Sequence, residues 1–244
     1  YEISARPAQA QYIYNYFNSF YTALYSSTWT HPVTGYAPYI DLDSWIDSHL
    51  HETLMFNADA LRISTYFYKP RNGPIVQGPL WDFDRAFGDA NDDRGFNPRL
   101  WQSGSADGGT DMFNAGGTFN NPWYSRLFTD PDFFQLWIDR YQELRQTTYS
   151  STNLMAWIDY FGNQVREATT REYPRWTGSG GSDTSPRSGT YSGDGLTYTF
   201  PSPGTWQGEI NFTKYWFSNR VDFMDTNFLN SPVFSSSGGP VSPG

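Results

Sequence analysis

The sequence predicts a predominantly helical α+β domain with a small central β-hairpin, and three observations lead to this prediction. Apolar residues recur at helical spacing in several long segments. One stretch, residues 62–81, instead carries two strand-like runs around an Asn-Gly turn. Hydrophobic residues make up 38% and aromatic residues 19% of the 244 residues, so the chain can bury a sizeable core.

Six segments are expected to be helical, from their apolar spacing and from residues that favour helix starts. They are, in chain order, Pro7–Tyr25, Asp41–Phe56, Pro122–Phe128, Asp130–Gln146, Asn153–Arg175 and Thr205–Leu229. In the first segment the apolar face consists of Ile13, Phe17, Phe20 and Leu24. Most of the tryptophans fall on helix faces and are expected in the core, namely Trp45, Trp137, Trp157 and Trp216.

The central hairpin is predicted from two runs of β-branched and aromatic residues. Arg62–Lys69 forms the first strand, Pro70–Gly73 the turn, and Ile75–Trp81 the returning strand. Asp59 precedes the first strand, and Asp82 follows the second. Because a hairpin brings its two outer ends together, these two carboxylates should lie close to each other.

Three carboxylates and a hydroxyl are therefore expected at one corner of the hairpin: Asp59, Asp82, Asp84 and Ser64. This set suits divalent metal binding and phosphoryl transfer, in which the protein positions groups and neutralises charge through metal ions. Asp82 would be a metal ligand, Asp84 a second ligand, and Asp59 the base or a substrate-orienting group. The alternative is that these aspartates only terminate strands and cap turns, where Asp is common.

Other polar segments give weaker indications of function. The run Asp89–Asp93 could bind Ca²⁺ but lacks the regular ligand spacing of a calcium loop, so a solvated loop is preferred. It lies in a long polar loop, residues 88–121, which is expected to be functional or mobile. Residues 177–195 form a low-complexity insertion that is expected to be exposed and poorly ordered. His49 and His51 point in different directions on one helix, which argues against a joint metal site.

Composition limits the possible partners and compartments. The net charge of −9 and the pI near 4.7 argue against a nucleic-acid partner. No apolar run is long enough to span a membrane. The absence of cysteine excludes disulfides and thiolate metal sites. The bias towards Tyr, Trp, Asn, Ser and Gly favours an extracellular bacterial protein.

The chain is expected to be one domain, residues 1–230, followed by a Ser/Gly/Pro-rich linker or the start of another domain, residues 231–244. We expect it to be part of a longer protein.

Residues 57–69, which read NADALRISTYFYK, and the runs GPLWDFD at 78–84 and AFG at 86–88 resemble the signature of the CotH family. These are spore-coat-type atypical protein kinases, also found in secreted bacterial multidomain proteins. The runs NPWYSRLF at 121–128 and RW at 175–176 resemble downstream landmarks of that family. The resemblance extends over about residues 10–230.

The resemblance implies a protein-kinase-like C-terminal lobe that uses ATP and Mg²⁺, with Ca²⁺ as another possible ion, to phosphorylate a protein substrate. Asp59 would parallel the catalytic-loop aspartate and Asp82 the metal-binding one. Ser64 falls where a kinase catalytic loop places its metal-binding Asn. Lys69, on the hairpin, could reach the nucleotide. The alternative is that Lys69 is simply exposed before the turn and that the nucleotide lysine lies upstream of Tyr1 or is absent. No segment before Asp41 resembles the glycine-rich loop of an N-terminal nucleotide lobe.

A second hypothesis remains open from another functional class. The chain could be a secreted structural or adhesive module that keeps the kinase-like fold without the chemistry, with a structural Ca²⁺ as a possible ligand. Other domains of a longer parent chain would then be its partners.

Overall fold

The computed structural model describes residues 6–89, 94–102, 112–113, 122–176 and 185–227. Its helices are α1 (Pro7–Leu24), α2 (Leu42–Met55), α3 (Pro122–Leu127), α4 (Pro131–Gln146), α5 (Ser151–Trp176) and α6 (Trp206–Asn227), with one 3₁₀ turn at Ala37–Tyr39. Its strands are β1 (Phe67–Tyr68), β2 (Val76–Gln77), β3 (Gly189–Gly193) and β4 (Leu196–Phe200), paired as two antiparallel hairpins. The α+β class, mostly helical, is confirmed.

Two of the helices begin where the sequence places a capping residue. The Asp41 side chain accepts a 3.0 Å hydrogen bond from the Ser44 amide at the start of α2. The Asp130 side chain accepts one of the same length from the Asp132 amide at the start of α4. Both satisfy an N–H group that has no partner within its own helix. Helix α2 ends at Met55, and the left-handed backbone of the next residue, Phe56 (φ 48°), turns the chain into the loop that follows.

The core is largely aromatic and lies between α2, α4 and α6. Trp45, Trp137 and Trp216 have no exposed surface, as predicted. The prediction for Trp157 is wrong, because 52% of this residue is exposed. Helix α5 buries only Leu154 and Gly162, and it packs on α6.

In α1 the predicted apolar face is only partly correct. Phe20 and Leu24 are fully buried and Phe17 packs against the core, whereas Ile13 is 38% exposed. The C-terminal half of the helix therefore makes the main contacts with the core.

The central hairpin is shorter than predicted. Phe67 pairs with Gln77 and Tyr68 with Val76, and Ile75 adds a parallel bridge to Ile40. The prediction of a strand from residue 62 is wrong, because residues 61–63 form a turn in which the amides of 62 and 63 both donate to the carbonyl oxygen of Asp59. This turn places Ser64, rather than Arg62, at the entrance to the hairpin.

Part of the expected poorly ordered insertion is a regular second hairpin. Strands β3 and β4 pair over five residues each, with a two-residue turn at Asp194-Gly195. Tyr198 and Phe200 of β4 pack on the ring of Phe212 in α6. Residues 177–184 of the insertion lie outside the described residues.

Several further predictions fall wholly or mostly outside the described residues, namely the long polar loop over 88–121, the aspartates at 92 and 93, and the linker over 231–244. Within the part of the chain that is described, no helix is long and apolar enough to cross a membrane.

Candidate active site

The candidate site is built from two chain segments, residues 55–64 after α2 and residues 82–88 after the central hairpin. Backbone hydrogen bonds hold the two segments together. The Phe87 amide donates to the carbonyl oxygen of Met55 over 2.7 Å, and the Ala58 amide donates to that of Arg85 over 3.3 Å. The hairpin therefore brings its flanking segments side by side, as the sequence predicts.

Strained backbone is concentrated in these two segments. Among the described residues other than glycine, five have positive φ, and four of them lie here: Phe56, Leu61, Asp82 and Phe87. Bulky residues rarely adopt this conformation unless the surrounding structure holds them in it. Such strain is typical of functional sites, and Asp82 itself carries it with a φ of 68°.

Ser64 and Asp82 are directly linked. The Ser64 hydroxyl donates a 3.0 Å hydrogen bond to Asp82 Oδ2. Ser64 is buried, with 6% of its surface exposed, whereas Asp82 is exposed. The bond therefore fixes the direction of a carboxylate that opens to solvent.

Asp59 is buried beside two arginines, with 6% of the residue exposed. Arg85 Nη1 lies 3.4 Å from Asp59 Oδ1, and Arg62 Nη2 lies 3.5 Å from the same oxygen. Arg85 belongs to the second segment, so this ion pair is a further link between the two segments. The positive charge of the arginines offsets the cost of burying the carboxylate.

Asn57 also belongs to the site, although no role was predicted for it. Its Nδ2 donates to the carbonyl oxygen of Asp82 over 3.3 Å, and its Oδ1 accepts from the Asp59 amide over 3.1 Å. Its own carbonyl oxygen accepts from Gln102 Nε2 over 3.0 Å. It is fully buried. A polar residue that lies between Phe56 and Ala58 just after a helix is a signal that could have identified it.

Glu52 lies under this loop, in the last turn of α2. Burial raises the pKa of its carboxyl to about 8, against a smaller opposing effect of hydrogen bonding from the Asn57 side chain. Its Oε2 is buried and accepts no hydrogen bond from any described residue. A neutral, protonated carboxyl is the form that such surroundings favour.

A family model described as CotH kinase protein matches residues 4–224, which is most of the chain. The chain belongs to the CotH family. Comparisons with curated proteins and with solved structures found no significant match. The resemblance noted around the central hairpin is confirmed, and the two paired segments described above lie within the CotH match.

In this CotH domain the remaining predicted site residues are not all brought together. Asp84 is exposed two residues beyond Asp82. Lys69 Nζ donates to the carbonyl oxygen of Pro70 over 3.0 Å and lies 4.2 Å from the ring centre of Tyr16. The contacts of Lys69 are thus with the hairpin turn and α1, rather than with Asp59 or Asp82.

The residues at the site fit Mg²⁺ only if substrate phosphates supply the other ligands of the ion. Among the described residues no group of three or more His, Asp or Glu side chains could hold a metal ion, so Asp59, Asp82 and Asp84 do not form a three-carboxylate cage. Mg²⁺ usually binds to one or two carboxylates together with substrate phosphates. Asp82 and Asp84, exposed and close in sequence, match that donor set.

Proposed function

We propose that this CotH domain is a phosphotransferase that uses ATP and Mg²⁺ to phosphorylate a protein. The observation that carries the proposal is the Ser64–Asp82 hydrogen bond, which orients a solvent-facing carboxylate beside the Asp59 loop. Family membership supports the proposal because the matched family is described as a kinase.

Each residue has a distinct role in the proposed reaction. Asp59 accepts the proton of the acceptor hydroxyl while the hydroxyl oxygen bonds to the γ-phosphorus of ATP. The bond between the γ-phosphorus and the β-phosphate oxygen breaks at the same time, which releases ADP. Asp82 and Asp84 would hold Mg²⁺ together with the phosphates of ATP. Bound Mg²⁺ would neutralise charge on the transferred group. Ser64 holds Asp82 in place, and Lys69 would need to leave the hairpin turn to reach the nucleotide.

The same proposal extends to the partners and the compartment. The substrate is a protein or another domain of a longer parent chain, outside the cell. The net charge of −9 favours such a partner over nucleic acid, which requires basic patches.

A second candidate is an inert module that keeps the fold for structural or adhesive purposes. Asp59 favours it, because the carboxylate lies buried between Arg62 and Arg85 rather than open to a substrate. In that case the ion pairs would be the reason for the carboxylate, and a structural Ca²⁺ could occupy Asp82 and Asp84.

Transfer of labelled γ-phosphate from ATP to a general protein acceptor such as casein separates the two candidates. The active domain is expected to lose at least 100-fold of its rate in Asp59→Asn and in Asp82→Asn. Asp139→Asn, an exposed aspartate on α4, is the matched control and should keep the full rate. A chain that transfers no phosphate with Mg²⁺ or Mn²⁺ supports the inert module.

A further inference from the structure

Asn57 is a side chain that bridges the backbones of the proposed base, Asp59, and the proposed metal ligand, Asp82. One end of its amide accepts from the Asp59 amide, and the other donates to the carbonyl oxygen of Asp82. The two segments also meet through Met55, Ala58 and Arg85, and through the Ser64 hydroxyl, which contacts the Asp82 carboxylate rather than its backbone.

The partners of Asn57 fix the orientation of its amide. The Asp59 N–H can only donate, so Oδ1 must face it, and the Asp82 carbonyl can only accept, so Nδ2 must face it. Both ends of the amide therefore have partners, and the side chain has no second arrangement that satisfies them.

The surroundings of Asn57 also restrict its movement. The residue is fully buried, and Gln102, itself 2% exposed, donates to its carbonyl oxygen. Its backbone amide donates to the carbonyl oxygen of Glu52 over 3.3 Å. A displacement of Asn57 would break hydrogen bonds to five different residues, since the Ala60 amide also donates to its carbonyl oxygen.

We propose that Asn57 is a positioning residue of the phosphoryl-transfer site, which sets the separation between Asp59 and Asp82 by bridging their backbones. This inference rests on the proposed function. Asp82 has a strained backbone, so its carboxylate keeps its direction only while its neighbours hold the peptide in place. Ser64 holds the side chain of Asp82, and Asn57 holds its main chain.

Asn57→Asp tests the role, because it is nearly isosteric and keeps an acceptor for the Asp59 amide but has no donor for the Asp82 carbonyl. We expect kcat to fall 10–100-fold and the Mg²⁺ concentration for half-maximal rate to rise severalfold, the range found when partners of metal ligands are removed. The KM for the protein acceptor should stay within twofold. A purely structural loss would lower the active fraction without changing the Mg²⁺ dependence.

Leu154→Ala is the stability control, since it removes a buried side chain of α5. It should lower thermal stability and leave the Mg²⁺ dependence unchanged. Should Asn57→Asp not fold, Asn57→Ser, which keeps a smaller acceptor, replaces it with the same expected result. In the unaltered protein, the side-chain amide resonances of Asn57 should shift when Mg·ATP is added.

The outcomes distinguish this inference from the proposed function. A wild-type chain that transfers phosphate, with an Asn57→Asp or Asn57→Ser variant within twofold of it in kcat and Mg²⁺ dependence, overturns the role of Asn57 alone. Side-chain amide resonances of Asn57 that do not shift when Mg·ATP is added would also overturn the role of Asn57. A wild-type chain that neither binds Mg·ATP nor transfers phosphate overturns the proposed function, and the role of Asn57 with it.

Discussion

Ser64 donates a 3.0 Å hydrogen bond to the Asp82 carboxylate, although 18 residues separate them in sequence. The connection between them is a hairpin whose strands are only two residues long. The hydrogen bond therefore closes a short loop and fixes the exposed carboxylate relative to the buried segment that contains Asp59. This geometry is the basis of the first prediction.

Replacement of Ser64 should impair metal use more than stability. Ser64→Ala removes the donor to Asp82, so we expect the Mg²⁺ requirement of phosphate transfer to rise about 10-fold. The loss in the free energy of unfolding should be about 1 kcal/mol, as for one hydrogen bond. Enzyme assays over a range of Mg²⁺ concentrations, with urea denaturation, measure both quantities.

Ser48 is a matched control for that variant. It is as buried as Ser64, at 6% exposed, and its hydroxyl donates to the carbonyl oxygen of Gln77 instead of to an aspartate. Ser48→Ala should have a similar effect on stability and none on the Mg²⁺ requirement. Equal effects of the two variants on the Mg²⁺ requirement would contradict the role given to Ser64.

Gly88 should be far less tolerant of a side chain than Gly195, although both have a φ of +81°. A Cβ at Gly88 would lie 3.0 Å from ring atoms of Phe212 and of Trp216, whereas one at Gly195 would meet open space. We expect Gly195→Ala to cost about 1 kcal/mol for the left-handed backbone. Gly88→Ala should cost a further 1–3 kcal/mol, approximately, for overpacking.

Urea denaturation of both glycine variants measures the difference. Because Gly88 ends the segment that carries Asp82, its variant should also reduce phosphate transfer, while Gly195→Ala should not. Equal losses of stability in the two variants would mean that the segment does not pack tightly on α6.

The buried carboxyl of Glu52 should make the folded protein less stable at alkaline pH. Burial raises its pKa from 4.5 to about 8, so between these values the folded chain keeps a proton that the unfolded chain has lost. The free energy of unfolding should therefore fall as pH rises through this window and level off above it. Glu52→Gln removes the titrating group and should flatten the fall.

Denaturant unfolding at pH 5 and at pH 8 tests this prediction. The advantage of Glu52→Gln over the wild type should be small at pH 5 and reach several kcal/mol at pH 8, at about 1.4 kcal/mol for each unit of pKa shift. Parallel stability profiles for the two proteins would show that Glu52 is not held in its protonated form.

His49 should act in the opposite direction at acidic pH. Its Nδ1 accepts from Trp137 Nε1 over 3.1 Å, so its Nε2 carries the proton and faces the carbonyl oxygen of Met112 at 2.8 Å. Burial lowers its pKa from 6.5 to about 4. The unfolded chain then binds a proton first as pH falls, so stability is lost between pH 6.5 and 4.

The variant His49→Gln should be less stable at neutral pH but have a shallower acidic slope. His51, whose pKa burial also lowers to about 4, keeps part of that slope. His31→Gln, at an exposed position, is the control for replacement of a histidine outside the core. An acidic slope that is unchanged in His49→Gln would contradict the lowered pKa of the buried His49 imidazole.

The helices could be predicted because each buries one face, which leaves a periodic apolar pattern. Most helix ends lie within two residues of the prediction. The starts of α2 and α4 could be predicted because an aspartate caps each of them. Trp157 was misplaced because periodicity shows which residues share a face but not whether a neighbour covers that face. Helix α5 contacts α6 through the face that contains Gly162, and Trp157 remains exposed.

The strands were harder to predict because local turns compete with β-propensity. Residues 61–63 form a turn because the amides of residues 62 and 63 donate to the carbonyl oxygen of Asp59. The composition of this segment does not indicate the turn. The hairpin at residues 189–200 was missed because its Gly, Ser and Thr content resembles a linker, although Asp194-Gly195 is a strong two-residue turn signal. Packing of Tyr198 on α6 stabilises this hairpin.

In the candidate site, sequence reasoning found residues placed by the hairpin and missed those placed by contact between loops. The closeness of Asp82 to the Asp59 loop follows from hairpin topology. The positions of Asn57 and Arg85 depend on how two irregular segments lie against each other, which no periodicity encodes.

The most direct test of the central claim is calorimetric titration of the chain with ATP, with and without Mg²⁺. Asp82→Asn and the control Asp139→Asn are titrated in the same way. The account predicts binding that requires Mg²⁺, that Asp82→Asn abolishes, and that Asp139→Asn leaves unchanged. Absence of Mg²⁺-dependent binding in the wild type, or equal binding by Asp82→Asn, would contradict the account.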